Sequence, residues 1–277
     1  MTSRYKEHMK ELKGPDQFQV KAMSILDWAI KNVKLIAAVV VPILLIAAAS
    51  LIYQYVQQKH QEARVEDLGK VEVVYMGEQR KAADARQALA KKIEAIDAQL
   101  AKSKDPKTAA TVDLAKLTAE KDQLTRQAES IEADHSQSVG LFQAFFEKNT
   151  TNAEGWAAGT TAARALIDEH KLPEARKLLE TVLAKSKTNA FYQTQARFVL
   201  IGVLEEQGAF DEGLKQVDTL AKLVGQDLQP RVMLAKGRLE MLKNANTDAR
   251  KTFNSLIESH ATSPEAQKAR ALLALLH

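Results

Sequence analysis

Leu172–Leu183 reads LPEARKLLETVL, Phe210–Ala221 reads FDEGLKQVDTLA, and Asn246–Ile257 reads NTDARKTFNSLI. Aligned, the three segments share a small residue at one position: Ala175, Gly213 and Ala249, spaced 38 and 36 residues apart. Four residues later each carries an apolar knob, Leu179, Val217 or Phe253. Residues four apart share a helical face, and two helices approach closely only where one side chain is small. Each segment follows another helix-forming stretch: Ala153–Glu169, Asn189–Gln207 and Pro230–Lys243. The intervening turns contain His170-Lys171, Gly208-Ala209 and Asn244-Ala245. Neither helix of such a pair buries its face alone, so the pairs must stack into a right-handed solenoid. Ser263-Pro264 predicts the start of a last, capping helix over Glu265–Leu276, because proline suits a first turn. Val139, Phe142, Phe145 and Phe146, ahead of the repeats, are expected to pack on the first pair.

Composition agrees with an all-α chain. Gly and Pro number only 11 and 6 in 277 residues, while Ala, Leu, Lys, Glu and Gln dominate. Straight-chain residues lose little rotamer freedom in a helix, and no alternating β-branched run predicts a sheet. With no cysteine, disulfides, thiolate metal sites and a cysteine nucleophile are excluded. The net charge of +4 lies mostly at one end: residues 1–34 hold seven Lys/Arg against four acids. The rest is nearly balanced, which argues against nucleic acid as a partner.

Working back from the repeats, Leu35–Tyr53 reads LIAAVVVPILLIAAASLIY, 19 residues without a charge. Such a helix covers about 28 Å, close to the ~30 Å hydrocarbon core of a bilayer. Pro42 is tolerated in a membrane span, and Trp28, Tyr53 and Tyr55 flank the run as interfacial aromatics do. A signal peptide is the alternative, since Ala47-Ala48-Ala49 fits a cleavage site. Against it stand the long preceding segment and the apolar residues that continue through Ile52. Lys21, Lys31 and Lys34 place the N-terminus in the cytoplasm and the body outside, in the periplasm of a Gram-negative inner membrane. Phe18, Ala22, Ile25, Ala29 and Val33 recur at helical spacing after Gly14-Pro15. They predict either an amphipathic helix on the inner membrane face or a continuation of the span.

Between span and repeats, Leu89, Ile93, Ile96 and Leu100 step by heptad spacing, as do Leu114, Leu117, Lys121, Leu124, Ala128 and Ile131. Ser103-Lys104-Asp105-Pro106 breaks the run. An antiparallel coiled-coil hairpin is expected, serving as a rigid spacer or as a docking surface for a partner helix. Nearer the span its seam would include Glu72, Gln79 and Arg86, and Gly69 and Gly77 lower helix propensity. That part is expected to bend or to need a partner. The chain thus divides into a tail with a possible amphipathic helix, 1–34; a single transmembrane helix, 35–56; a coiled-coil hairpin, 57–135; and a helical repeat domain, 136–277.

No catalytic pattern stands out. His8, His60, His135, His170, His260 and His277 are scattered and form no HExxH or i, i+4 pair. Phosphate-cradling glycine loops and G-x-S-x-G are missing. The sequence predicts no enzyme, no metal and no cofactor.

The repeat pattern resembles the tetratricopeptide repeat (TPR), in degenerate form and with spacing longer than the usual 34. In solenoids of that kind the first helix of each pair lines the concave face. The resemblance therefore implies a protein-binding surface containing Thr160, Arg164, Gln195, Glu205, Arg231 and Arg238. The order of parts is more specific. A tail, then DWAIKNVKLIAAVVV and LIYQYVQQKHQEA, then degenerate repeats, resembles the family of ancillary SecYEG translocon subunits, whose repeat domain class is shared with the cell-division coordinator CpoB. This implies an inner-membrane scaffold with a periplasmic TPR domain, and the Sec translocon or periplasmic chaperones as partners. The hairpin at about 66–135 departs from that pattern. A coiled-coil adaptor of a secretion or efflux machine and a structural oligomer are the competing readings, and the oligomeric state stays open.

Overall fold

The computed structural model describes residues 17–102 and 113–276. The expected breaks at Gly14-Pro15 and Ser103–Pro106 lie outside them, as does His277. Eleven α-helices and one short 3-10 turn make up the described residues, which contain no strand. Helix α1 spans Gln17–Lys31 and α2 spans Val33–Lys102, separated at Asn32. Then follow α3 (Leu114–Ser130), α4 (Ser136–Lys148), α5 (Ala153–Asp168), α6 (Leu172–Lys185), α7 (Ala190–Glu206), α8 (Phe210–Leu223), α9 (Gln229–Leu242), α10 (Asn246–Ser259) and α11 (Pro264–Leu275). Two compact units partition the chain, one up to Ala63 and one from Arg64 onward.

The first unit holds α1 and the start of α2. The apolar run from Leu35 to Tyr53 lies inside α2, which continues through Pro42. It is the one helix among the described residues long and apolar enough to cross a membrane.

In the second unit, successive helices from α4 to α11 pack on their neighbours, and α5 also touches α7 as α9 touches α11. That is the contact pattern of stacked helix pairs. The aligned small residues lie at the close approaches: Ala175 and Ala249 are fully buried, and Gly213 faces the side chain of Leu239. The knobs Leu179, Val217 and Phe253 are buried as well. First helices carry the core from one pair to the next. In α7, Leu200 and Leu204 join a cluster with Leu179 and Val182, whereas Ile201 joins one with Val217 and Leu239. In α9, Val232 belongs to that second cluster and Leu234 to a third with Phe253 and Leu256.

The three turns within pairs repeat at the backbone level. His170, Gly208 and Asn244 have φ of 57°, 70° and 64°. In each, two consecutive N–H groups reach back to close the helix: His170 to Ile167 and Lys171 to Leu166, Gly208 to Glu205 and Ala209 to Leu204, Asn244 to Met241 and Ala245 to Glu240. This is the Schellman closure, which satisfies the orphan carbonyls of a helix end. Other helix starts are capped by side chains: Asn152 accepts from the Gly155 N–H, Asn189 from those of Phe191 and Tyr192, and Ser263 from that of Ala266.

Helix α2 has two partners in this unit. Its outer half runs antiparallel to α3: Arg86 Nε donates to the Ile131 carbonyl at 3.0 Å, and Lys121 Nζ meets Asp97 Oδ1 at 2.5 Å. Leu89, Ile93, Ile96 and Leu100 are buried or half-buried, and so are Leu117, Lys121, Leu124, Ala128 and Ile131; Leu114 is exposed. The half nearer the apolar run departs from the sequence expectation. The helix runs through Gly69 and Gly77 without a break and finds its partner within the chain. Leu68, Val71 and Tyr75 pack on Phe142, Phe145, Ala158 and Ala162 of α4 and α5. Burial of these side chains supplies the hydrophobic contact that the expected seam, with its Glu72 and Gln79, lacks.

Candidate protein-binding groove

Two stripes of the same spacing face each other across α7 and α9. Phe198, Ile201, Gly202 and Glu205 occupy positions i, i+3, i+4 and i+7 of α7; Arg231, Leu234, Ala235 and Arg238 do so on α9. Residues so spaced share one helix face. With Glu206, Glu265 and Lys268 they line a groove of about 520 Å³. Its wall helices α7, α9 and α11 are the first helices of two pairs and the capping helix.

The groove has an apolar floor and a charged rim. The Arg231 guanidinium lies 4.2 Å from the Phe198 ring centroid, a cation–π contact. It is exposed and forms no ion pair among the described residues. Arg238 pairs with Glu205 across the groove. Lys268 and Glu265 also lack an ion partner among the described residues. Both charge signs are thus available to an incoming segment, beside the apolar surface of Phe198, Ile201 and Leu234.

Of the six residues expected on this surface, Glu205, Arg231 and Arg238 come together here. The other three do not. Thr160 is only 5% exposed, and its hydroxyl donates to the Trp156 carbonyl within its own helix. Helix α5 is hemmed in by α4, α6 and α7, so its mid-helix positions go to packing. Arg164 is exposed on α5 away from the groove, and Gln195 is half-buried one turn before Phe198. Phe198 and Lys268 escaped the sequence reading. Stepping back from Glu205 by a full heptad would have found Phe198; Lys268 has no signal beyond its place one turn after Glu265.

Beneath the groove, Gln193 Nε2 donates to the Leu183 carbonyl at 2.7 Å and to Ser186 Oγ at 3.0 Å. Arg197 donates to the side-chain amide oxygens of Gln193 and Gln216, and burial pushes its pKa down. These bonds hold α7 against α6 and α8, which fixes the orientation of the stripe.

A second cavity, of about 510 Å³, lies between α2 and the ends of α5 and α7. Gln79, Arg86, Glu132, His135, Asp168 and Glu206 are among its walls. Arg86 is committed to Ile131 and His135 to Glu78. No group of three or more potential metal ligands occurs among the described residues.

Stacked helix pairs closed by Schellman turns, with a groove lined by first helices, define a repeat module built for interaction with proteins. The chain belongs to the tetratricopeptide repeat-like domain family, which it matches over residues 118–274. The match starts within α3, so the family's domain includes most of the hairpin's second arm. No curated protein matches the chain.

Proposed function

We propose that the protein is a membrane-anchored scaffold whose repeat domain binds other proteins outside the cytoplasm. Residues 35–56 form the anchor, the N-terminus is cytoplasmic, and the body from Arg64 onward lies in the periplasm beside the inner membrane. Its partners are translocon components or the chaperones that receive exported chains, or factors of envelope assembly. The observation that carries the reading is the groove, where Arg231 and Lys268 stand without ion partners among the described residues, above Phe198, Ile201 and Leu234. An extended peptide segment with an acidic group and an apolar side chain satisfies both. The resemblance of the N-terminal order of parts to ancillary translocon subunits supports the choice of partner, and tethering supports the mechanism, because it raises the effective concentration of the groove near a membrane-bound partner.

Photocrosslinking in intact cells tests this reading. A benzophenone amino acid at Ala235, in the groove, should yield adducts with translocon subunits or export chaperones. The same group at Thr181, on α6, should not. Combined Arg231→Glu and Lys268→Glu should abolish the Ala235 adducts. Equal labelling from both positions, or adducts indifferent to the charge reversal, would remove the groove from the account.

A further inference from the structure

Helix α1 carries a second interaction surface. At 100° per residue, Ala22, Met23, Ile25, Leu26, Ala29 and Ile30 fall on one face, and Lys21, Ser24 and Lys31 on the other, where Trp28 lies between Lys21 and Ser24 and Val20 beside Lys31. Met23, Ile25, Leu26 and Ile30 are 63–72% exposed. Nothing among the described residues covers them. Fifteen residues reach only about 22 Å, short of a bilayer's ~30 Å core, so α1 cannot span it.

A defined break separates it from α2. The Asn32 side chain donates to the Trp28 carbonyl at 2.8 Å, and the Asn32 carbonyl accepts from the Leu35 N–H at 2.9 Å. The last residue of α1, Lys31, therefore stands four residues before Leu35, where the uncharged run begins. If that run lies in a membrane, α1 is held at headgroup level. Lys21, Lys31 and Lys34 outnumber the single acid of α1 and its break, Asp27. We infer that α1 lies flat on the anionic inner leaflet, with Ile25, Leu26 and Ile30 among the acyl chains and its lysines at the phosphates. An apolar face flanked by basic residues is the chemistry that such a surface recognises.

This inference rests on the anchor proposed above, and the test separates the two. The full chain has no native cysteine, so nitroxide labels can be placed singly at Leu26, Ser24 and Leu44 after cysteine substitution. The protein is reconstituted in nanodiscs of phosphatidylcholine, with or without phosphatidylglycerol. In the anionic discs the Leu26 label should be accessible to oxygen and shielded from a water-soluble nickel complex, the Ser24 label the reverse, and the Leu44 label lipid-immersed. Replacing Lys21, Lys31 and Lys34 by Gln should lower the ratio of surface-bound to free α1 by about fivefold per lysine in anionic discs and leave it unchanged in neutral ones. A water-exposed Leu26 label beside a lipid-immersed Leu44 label would overturn the inference and spare the anchor. A water-exposed Leu44 label would overturn both. Spin–spin broadening at Leu26 between copies would show that α1 pairs with a second chain instead of lipid.

Discussion

Glu78 of α2 reaches His135, ahead of α4, with Oε2 3.2 Å from the imidazole Nδ1, while its Oε1 accepts from the Ser138 backbone N–H. His135 is only 1% exposed, and Tyr75 lies against its ring with centroids 4.7 Å apart. One carboxylate thus satisfies a buried imidazole and an orphan N–H at the start of α4. Arg64 adds an ion pair with Glu154 at 3.5 Å, 14 residues earlier on α2. These links, with Leu68, Val71 and Tyr75, join the long helix to the repeats.

Removing that carboxylate should loosen the junction. Glu78→Ala leaves two buried polar groups unsatisfied and should destabilise the unit from Arg64 onward by about 1–3 kcal/mol. Glu78→Gln keeps an acceptor for Ser138 and should lose less. Urea unfolding of both variants measures the difference. Equal loss for both would mean that the carboxylate's charge and its contact with His135, not the Ser138 hydrogen bond that Gln retains, carry the junction.

Glycine positions in the repeats differ in what they tolerate. A Cβ on Gly237 would come within 2.3 Å of Phe253 Cε1, and Phe253 is fully buried. Gly237→Ala should cost about 1–3 kcal/mol through overpacking. At Gly213 the nearest atoms are the Leu239 methyls, at 3.0 and 3.1 Å. A small shift of Leu239 accommodates the methyl, and Ala's helix propensity offsets the crowding by roughly 0.8–1 kcal/mol, so Gly213→Ala should be near neutral. Gly213→Leu should cost at least as much as Gly237→Ala. Melting temperatures rank the three.

Asn244 holds a left-handed conformation that Gly adopts without strain. Asn244→Gly should raise stability by about 0.5 kcal/mol or more. Thermal unfolding beside Gly208→Asn, which should move the other way, checks the pair.

The Lys243 ammonium, hydrogen-bonded to Asp211, holds that carboxyl below the ordinary aspartate value. A depressed folded-state pKa gives a contribution that is present at neutral pH and lost as pH falls through the folded value. The pair is exposed, so the contribution is small and salt-sensitive. Carbon-detected NMR titration should find the Asp211 midpoint below the usual range, and Lys243→Met should return it there.

The repeats were legible because their signal is local. Ala175, Gly213 and Ala249 mark close approaches, and Leu179, Val217 and Phe253 fill them, all within single helices. The inner half of α2 was harder to read. Extending the heptads of Leu89–Leu100 backwards selects Glu72, Gln79 and Arg86. The inward face instead runs through Arg64, Leu68, Val71, Tyr75, Glu78 and Ala82. Leu68, Tyr75 and Ala82 belong to both series, and the alternate positions slip by one residue. A helix of 3.6 residues per turn drifts against a 3.5 repeat, and here it also exchanges α3 for α4 and α5 as its partner. Nothing in the sequence announces that exchange. Arg231 on Phe198 was hidden for a related reason, since it needs the adjacency of α7 and α9.

Membrane topology of the intact chain decides whether the repeats are tethered outside the cytoplasm. A reporter active only outside the cytoplasm is fused after His277, and the protein is recovered from the membrane fraction and sequenced from its N-terminus. An anchored chain gives an active reporter on a full-length, membrane-retained protein that resists extraction by high salt and alkali. An inactive reporter, or a released form beginning near Ser50, would contradict the proposed tethering.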